Sequence, residues 1–245
     1  MTAPGDAVEI LAVGAHPDDV EISCAGLLLL MGRRGYRFAL LDCTAGERGS
    51  RGDAATRARE AQAAAARLGA AGRECLGLPD TQLQETPGAV RLMVEAIRRW
   101  RPKLVLAMDG GDGHPDHRAC AAITQRAAFL AALPKAEAGG GAHRVRRVVR
   151  YGRHPHFRPG FVVDITDVVE EKLDVLRCHA SQLTREGGGA KTPVSDPAFL
   201  DDLKAFWRFH GLGAGALYAE PYATDGPPAL PDPVAALCVQ RRDVG

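Results

Sequence analysis

No apolar run in the 245 residues is long enough to cross a bilayer, and no basic leader precedes one. Val8 to Val13 and Leu27 to Met31 are apolar but short. With six cysteines and no CxxC pair, the chain has neither a disulfide framework nor a thiolate metal site, and a cytoplasmic, reduced setting is expected. Charge of one sign is also missing: 31 Lys and Arg against 30 Asp and Glu leave +1, so no overall field points to nucleic acid or anionic lipid. Several catalytic signatures are absent too. There is no HExxH, no GxSxG, no GxGxxG and no Walker A sequence, which disfavours a zincin peptidase, an α/β-hydrolase serine enzyme and a nucleotide binder. What remains is an ordinary globular composition, 46% hydrophobic and 25% charged, long enough for one well-buried core.

Apolar, β-branched runs alternate with helix-like stretches along the chain. Strands are expected at 8–13, 36–41, 73–78, 103–108, 145–151 and 161–165. Helices are expected from Asp19 to about Gly32, over Ala54–Leu68 with Gly69 as the stop, from Thr86-Pro87, over about Asp116–Leu133, over Asp167–His179 and over Ala198–His210. This alternation predicts an α/β fold, a Rossmann-like, mostly parallel sheet flanked by helices. Residues 1–222 read as a single domain. Residues 223–245, rich in Pro, Gly, Ala and Asp, read as a loosely packed tail or a subunit contact.

Two stretches carry the chemistry. Gly14-Ala15-His16-Pro17-Asp18-Asp19-Val20-Glu21 follows the first strand, and Gly113-His114-Pro115-Asp116-His117 follows the fourth. In open α/β sheets ligands bind beyond the C-terminal ends of the strands, where both stretches lie. His16 and Asp19 are three apart where a loop becomes a helix, so both can face one point, and His114 and His117 share that spacing. Two histidines and a carboxylate with an open position suit a catalytic zinc, although iron or another divalent ion would also be accepted. A carboxylate beside the ligands could take a proton from a water whose pKa the metal has lowered to about 7. Spacing alone leaves open whether Asp18 or Asp19, and whether His114 or His117, is the ligand. The plainer reading is an Asp that caps a helix and a structural His.

At these residues the sequence resembles the PIG-L/LmbE-like zinc-dependent N-acetylglucosaminyl deacetylases, and among them the bacillithiol-biosynthesis enzymes. The resemblance rests on AHPDDVE at 15–21 and HPDH at 114–117. It extends through LDCTAGERGSRGDAATRAREA at 41–61, LGLPD at 76–80, FVVDIT at 161–166, KTPVSDPAFL at 191–200 and GALYAEPY at 215–222. It implies His16, Asp19 and His117 as zinc ligands and Asp18 as general base. It also implies a protonated His114 at the oxyanion, Asp116 orienting or charging it, and Arg57 on substrate hydroxyls. His156 is a further candidate for substrate contact. The implied substrate is a small N-acetylated amino-sugar conjugate, N-acetylglucosaminyl-malate in the nearest group, with Arg48, Arg51 and Arg158 as candidates for its malate. A homo-oligomer is implied, hexamers being frequent among relatives. The loop before HPDH departs from the family in being glycine-rich, which leaves a chitobiose-like or natural-product substrate open. A non-catalytic metal or sugar-binding module is the alternative from another class, and it would need neither Asp18 nor His114.

Overall fold

The computed structural model describes residues 7–183 and 190–232. Seven strands form one sheet in the order β3-β2-β1-β4-β5-β7-β6. β1 (Ile10–Gly14), β2 (Phe38–Asp42), β3 (Gly72–Cys75), β4 (Leu104–Met108) and β5 (Arg147–Tyr151) are parallel to one another, whereas β7 (Ala219–Ala223) is antiparallel to both β5 and β6 (Phe161–Asp164). β1 and β2 are buried along their whole length, as expected of central parallel strands whose sequences are apolar up to Asp42 at the end of β2. Helices α1 (Asp19–Arg33), α2 (Ala54–Leu68), α3 (Pro87–Trp100) and α4 (Pro115–Leu130) make the crossovers, and α5 (Val169–Leu176), α6 (Ala180–Leu183) and α7 (Phe199–Ala214) follow. Among the described residues no helix is long and apolar enough to cross a membrane.

The expected mostly parallel α/β sheet is present, with local differences. The stretch expected as one helix over Asp167–His179 is a 3-10 turn, Thr166–Val168, followed by α5. The expected strand over 73–78 stops at Cys75, and the last helix begins at Phe199 and runs on to Ala214. Strand β7 was not expected, because a glutamate and a proline occupy its centre. Glu220 is nevertheless fully buried. It accepts from the backbone N–H groups of Gly26 and Leu27 at 2.8 Å, from the Tyr222 hydroxyl at 2.7 Å and from Lys172 at 2.5 Å. Lys172 in turn lies 4.1 Å from the centre of the Trp207 ring. These partners let a charged strand residue sit inside the core.

Residue 223, the first of the expected tail, closes β7, and Asp225 beyond it lies 3.2 Å from Arg150. The rest of the expected tail from 233 on, Cys238 and the Arg241-Arg242 pair included, lies outside the described residues, as do 187–189 of the glycine-rich loop.

The sheet order turns at β1, with β2 on one side and β4 on the other. The loops leaving β1 and β4 are therefore neighbours at the C-terminal edge, and they carry the two His/Asp motifs.

Candidate metal centre

His16 and Asp19 come from the β1–α1 loop and the first residue of α1, and His114, Asp116 and His117 from the start of α4. One donor atom from each of His16, Asp19 and His117 falls within 4.8 Å of the other two. The Asp19 carboxylate bridges the pair, with Oδ2 3.4 Å from His16 Nδ1 and Oδ1 3.3 Å from His117 Nε2. The His16 and His117 rings lie 5.5 Å apart. His16, His114 and Asp116 form a second such group. There His16 Nε2 lies 3.3 Å from both Asp80 Oδ1 and Asp116 Oδ2, so this edge of the ring already faces two carboxylates. A ring whose far nitrogen is held by carboxylates has its near nitrogen aimed and made more basic, which is how metal-binding histidines are supported. His117 is arranged alike. Its Nδ1 lies 3.1 Å from Asp112 Oδ2, although off the line of a proper hydrogen bond, and is otherwise an unpartnered buried atom.

The charges converge to the same end. Burial pushes the His16 imidazole down, but Asp19 and Asp80 outweigh it and raise its pKa to about 11. Burial likewise opposes, and Asp19 and Asp112 overcome, a rise at His117 to about 10. Despite its burial, the Asp19 carboxyl is held well below its usual range by His117 and His16. Without a cation, protons on the two histidines would balance these carboxylates. A divalent cation can take the place of both, so the donor set fits one. Because ligating histidines must be neutral, zinc uptake near pH 7 is expected to release on the order of two protons and to weaken as pH falls. Calorimetry in buffers of different ionisation enthalpy would count them; release of none would show that the cation binds elsewhere.

Asp18 is built differently from Asp19. Its backbone has φ +120°, ψ −25°, outside the range of ordinary non-glycine residues. Such a conformation costs about 1–3 kcal/mol and persists only where the surroundings enforce it. Asp18 and Thr81 (φ +64°) are two of only three described non-glycine residues at positive φ, and both border this site. Burial and the neighbouring Asp19 raise the Asp18 carboxyl to about 6. Arg57, expected on substrate hydroxyls, lies buried behind this loop. It donates to the carbonyls of Pro17 at 2.9 Å and Gly46 at 2.8 Å and comes within 3.8 Å of Asp18. At Gly46 (φ +64°) a Cβ would fall 2.0 Å from the Arg57 guanidinium, so only glycine admits this clamp.

His114 caps α4, its Nδ1 accepting the Asp116 backbone N–H at 3.2 Å. That bond makes Nδ1 the acceptor and puts the ring proton of a neutral imidazole on Nε2. Burial, His117 and His16 push the His114 pKa below its usual value. This runs against the expected protonated form. The Asp116 carboxylate, expected to orient His114, instead meets His16 Nε2 and accepts from the backbone N–H groups of Thr81 at 2.8 Å and Leu83 at 3.3 Å. Its link to His114 is through its own N–H. His156 is exposed, on the loop after β5, with its ring 6.4 Å from that of His154.

Two residues at the centre were not expected there. Asp80 faces His16, which lowers its pKa to about 2. Asp112 accepts the His114 backbone N–H at 2.8 Å and faces His117. An Asp two residues before a His, in a glycine-rich loop, is the local sign of such a turn.

A family model described as GlcNAc-PI de-N-acetylase, PIG-L, matches residues 11–128. The diacetylchitobiose deacetylase of Thermococcus kodakarensis is 30% identical over 230 residues, covering 88% of this chain and 82% of its own. The 1D-myo-inositol 2-acetamido-2-deoxy-alpha-D-glucopyranoside deacetylase of Acidothermus cellulolyticus is 28% identical over 235 residues, with 73% and 80% covered. Among solved structures, the conserved protein TT1542 from Thermus thermophilus superposes with a TM-score of 0.83 at 34% identity, covering 91% of this chain and 97% of that one.

Proposed function

This chain belongs to the PIG-L family of deacetylases, and from that premise we propose that it is a zinc-dependent hydrolase that removes acetyl from an N-acetylglucosamine conjugate. The observation that carries the reading is the convergence of His16, Asp19 and His117 on one point, with Asp18 and His114 beside it. Binding alone would need neither of the last two.

His16, Asp19 and His117 would hold the cation, which when bound supplies a Lewis acid for the amide carbonyl and an acidified water. The remaining work falls to the chain. Asp18, with its pKa raised by burial and Asp19, is the base that receives the proton of the attacking water. Arg57 and the strained backbone hold Asp18 in place through the Pro17 carbonyl. His114, neutral and protonated on Nε2, donates a hydrogen bond to the oxyanion. A neutral imidazole serves here because its donor is fixed in advance by the Asp116 N–H. Any cation nearby pushes the His114 pKa further down, which strengthens this assignment. Asp18 then returns its proton to the departing nitrogen, freeing acetate and an amine. Asp116 and Asp80 act through His16, and Asp112 through His117.

The substrate we propose is N-acetylglucosaminyl-malate, as in bacillithiol biosynthesis. Its support is the sequence resemblance; the relatives' own names point to chitobiose and inositol conjugates. Acetate release by the zinc-loaded protein from GlcNAc-malate, GlcNAc, diacetylchitobiose and GlcNAc-inositol decides among them. The malate conjugate is expected to have the highest kcat/KM. A higher value for diacetylchitobiose would replace that substrate, and no release from any would overturn the deacetylase reading.

A further inference from the structure

Arg153 carries a charge that the centre described above leaves unused. It is exposed, and among the described residues no hydrogen bond or ion pair engages it. Its guanidinium carbon lies 5.8 Å from the centroid of the Phe199 ring, at the buried start of α7. The backbone that bears it is fixed. Tyr151, two residues before, pairs with Met108 at the end of β4, and its hydroxyl donates to the Val13 carbonyl at 2.6 Å. Gly152 packs so closely that a Cβ there would lie 3.0 Å from Phe157 and 3.2 Å from Asp109. Arg153 thus follows the end of β5, which is tied through Tyr151 to the ends of β4 and β1, the strands that lead to His114 and His16.

Asp19, Asp18 and Asp112 are the acidic groups that feel its charge, and none comes within ion-pairing distance. Behind it the Lys172 cation is neutralised by Glu220. Two of the arginines expected from the sequence are engaged elsewhere: Arg51 donates to the carbonyls of Ser181 and Ala190, and Arg158 to those of Pro155 and Phe157.

We propose that Arg153, laid against Phe199, is the specificity-determining residue of this site and takes a carboxylate carried by the group attached to the sugar. A planar fork of five donors with no acceptor of its own matches a carboxylate in bidentate fashion. Such an anion, approaching Asp18, Asp19 and Asp112, needs an offsetting cation at the rim, and Arg153 provides it. The inference rests on the proposed deacetylase reading.

The test compares zinc-loaded wild type, Arg153→Gln and Arg153→Lys. It measures kcat/KM on GlcNAc-malate and on the neutral methyl glycoside of GlcNAc, and calorimetric affinity for glucosaminyl-malate, the deacetylated form. In Arg153→Gln, a loss of about 10–100-fold is expected for the malate compounds in both measurements, the worth of a charged hydrogen-bonded pair. The neutral glycoside should change less than about threefold, and Arg153→Lys should restore part of the loss. Equal losses on both substrates, or unchanged affinity for glucosaminyl-malate, would overturn the proposal. The calorimetric comparison needs no turnover, so it judges Arg153 even if acetate release fails and takes the deacetylase reading with it.

Discussion

Asp18→Asn is expected to keep zinc at the wild-type stoichiometry and to lose about 10²–10⁴ in kcat, the usual contribution of a positioned general base. Asparagine is the informative replacement. Asp18 has φ +120°, and asparagine tolerates positive φ better than most residues, so the loop that carries His16 and Asp19 keeps its path. Asparagine also has nearly the same shape but cannot accept the proton. In wild type, protonation of Asp18 removes the base, so kcat/KM falls with pH below the carboxyl's pKa. Burial and Asp19 raise that pKa to about 6, and a cation on Asp19 draws it down again, so the acid limb is expected at or below pH about 6. Zinc content by atomic absorption, beside the acetate rate, separates a lost base from a lost metal. An Asp18→Asn variant with undiminished turnover would exclude Asp18 from proton transfer.

Arg73→Met is expected to cost about 3–5 kcal/mol of stability, the range for removing one partner of a buried ion pair. Arg73 grips Asp42 with two hydrogen bonds, Nε to Oδ2 at 2.6 Å and Nη2 to Oδ1 at 2.8 Å, and its Nη1 donates to Glu21. His179 Nε2 lies 3.2 Å from the same Glu21 oxygen, and the Arg73, Glu21, Asp42 and His179 side chains are all nearly or wholly inaccessible. Methionine fills similar space but leaves the Glu21 and Asp42 carboxylates buried without the guanidinium they share. Burial works against the Glu21 carboxylate, yet Arg73 and His179 hold its pKa at about 2. A depressed carboxyl stabilises the fold above its ordinary pKa near 4.5, and that contribution fades as pH falls toward 2. Urea unfolding of the metal-free protein at pH 7 gives the cost. Adding Glu21→Gln and Asp42→Asn to Arg73→Met should recover part of it. A loss below about 1 kcal/mol would mean that the network contributes little.

The ease of reading this chain followed the range of the forces involved. Helix α2 was legible to the residue, because alanine density and a Gly69 stop both act locally. The placement of both motifs at the C-terminal ends of buried strands followed from apolar runs, whereas the pairing of β1 with β4 that brings the motifs together is visible only in the sheet order. Strand β7 was hidden because Glu220 and Pro221 contradict a strand until Lys172, Tyr222 and the α1 backbone are brought to them. His16, Asp19 and His117 could be singled out by spacing and resemblance. Asp80, 64 positions beyond His16, could not, since only the fold brings its carboxylate to that ring. Asp116 was seen but tied to its sequence neighbour His114, whereas the helix start turns its carboxylate toward His16. Arg57 shows the reverse case: the resemblance implies it on substrate hydroxyls, but Gly46 leaves room for it to turn inward and clamp two loops.

The central claim is that this centre hydrolyses the acetamide of an amino sugar with the help of a bound cation. The most direct measurement follows acetate and free amine together, from GlcNAc-malate or diacetylchitobiose, with the zinc-loaded protein, after chelation and after zinc is returned. The account predicts equal amounts of acetate and amine, loss of both on chelation and recovery of both with zinc. Release that persists in the chelated protein, with zinc verified as absent, would contradict it.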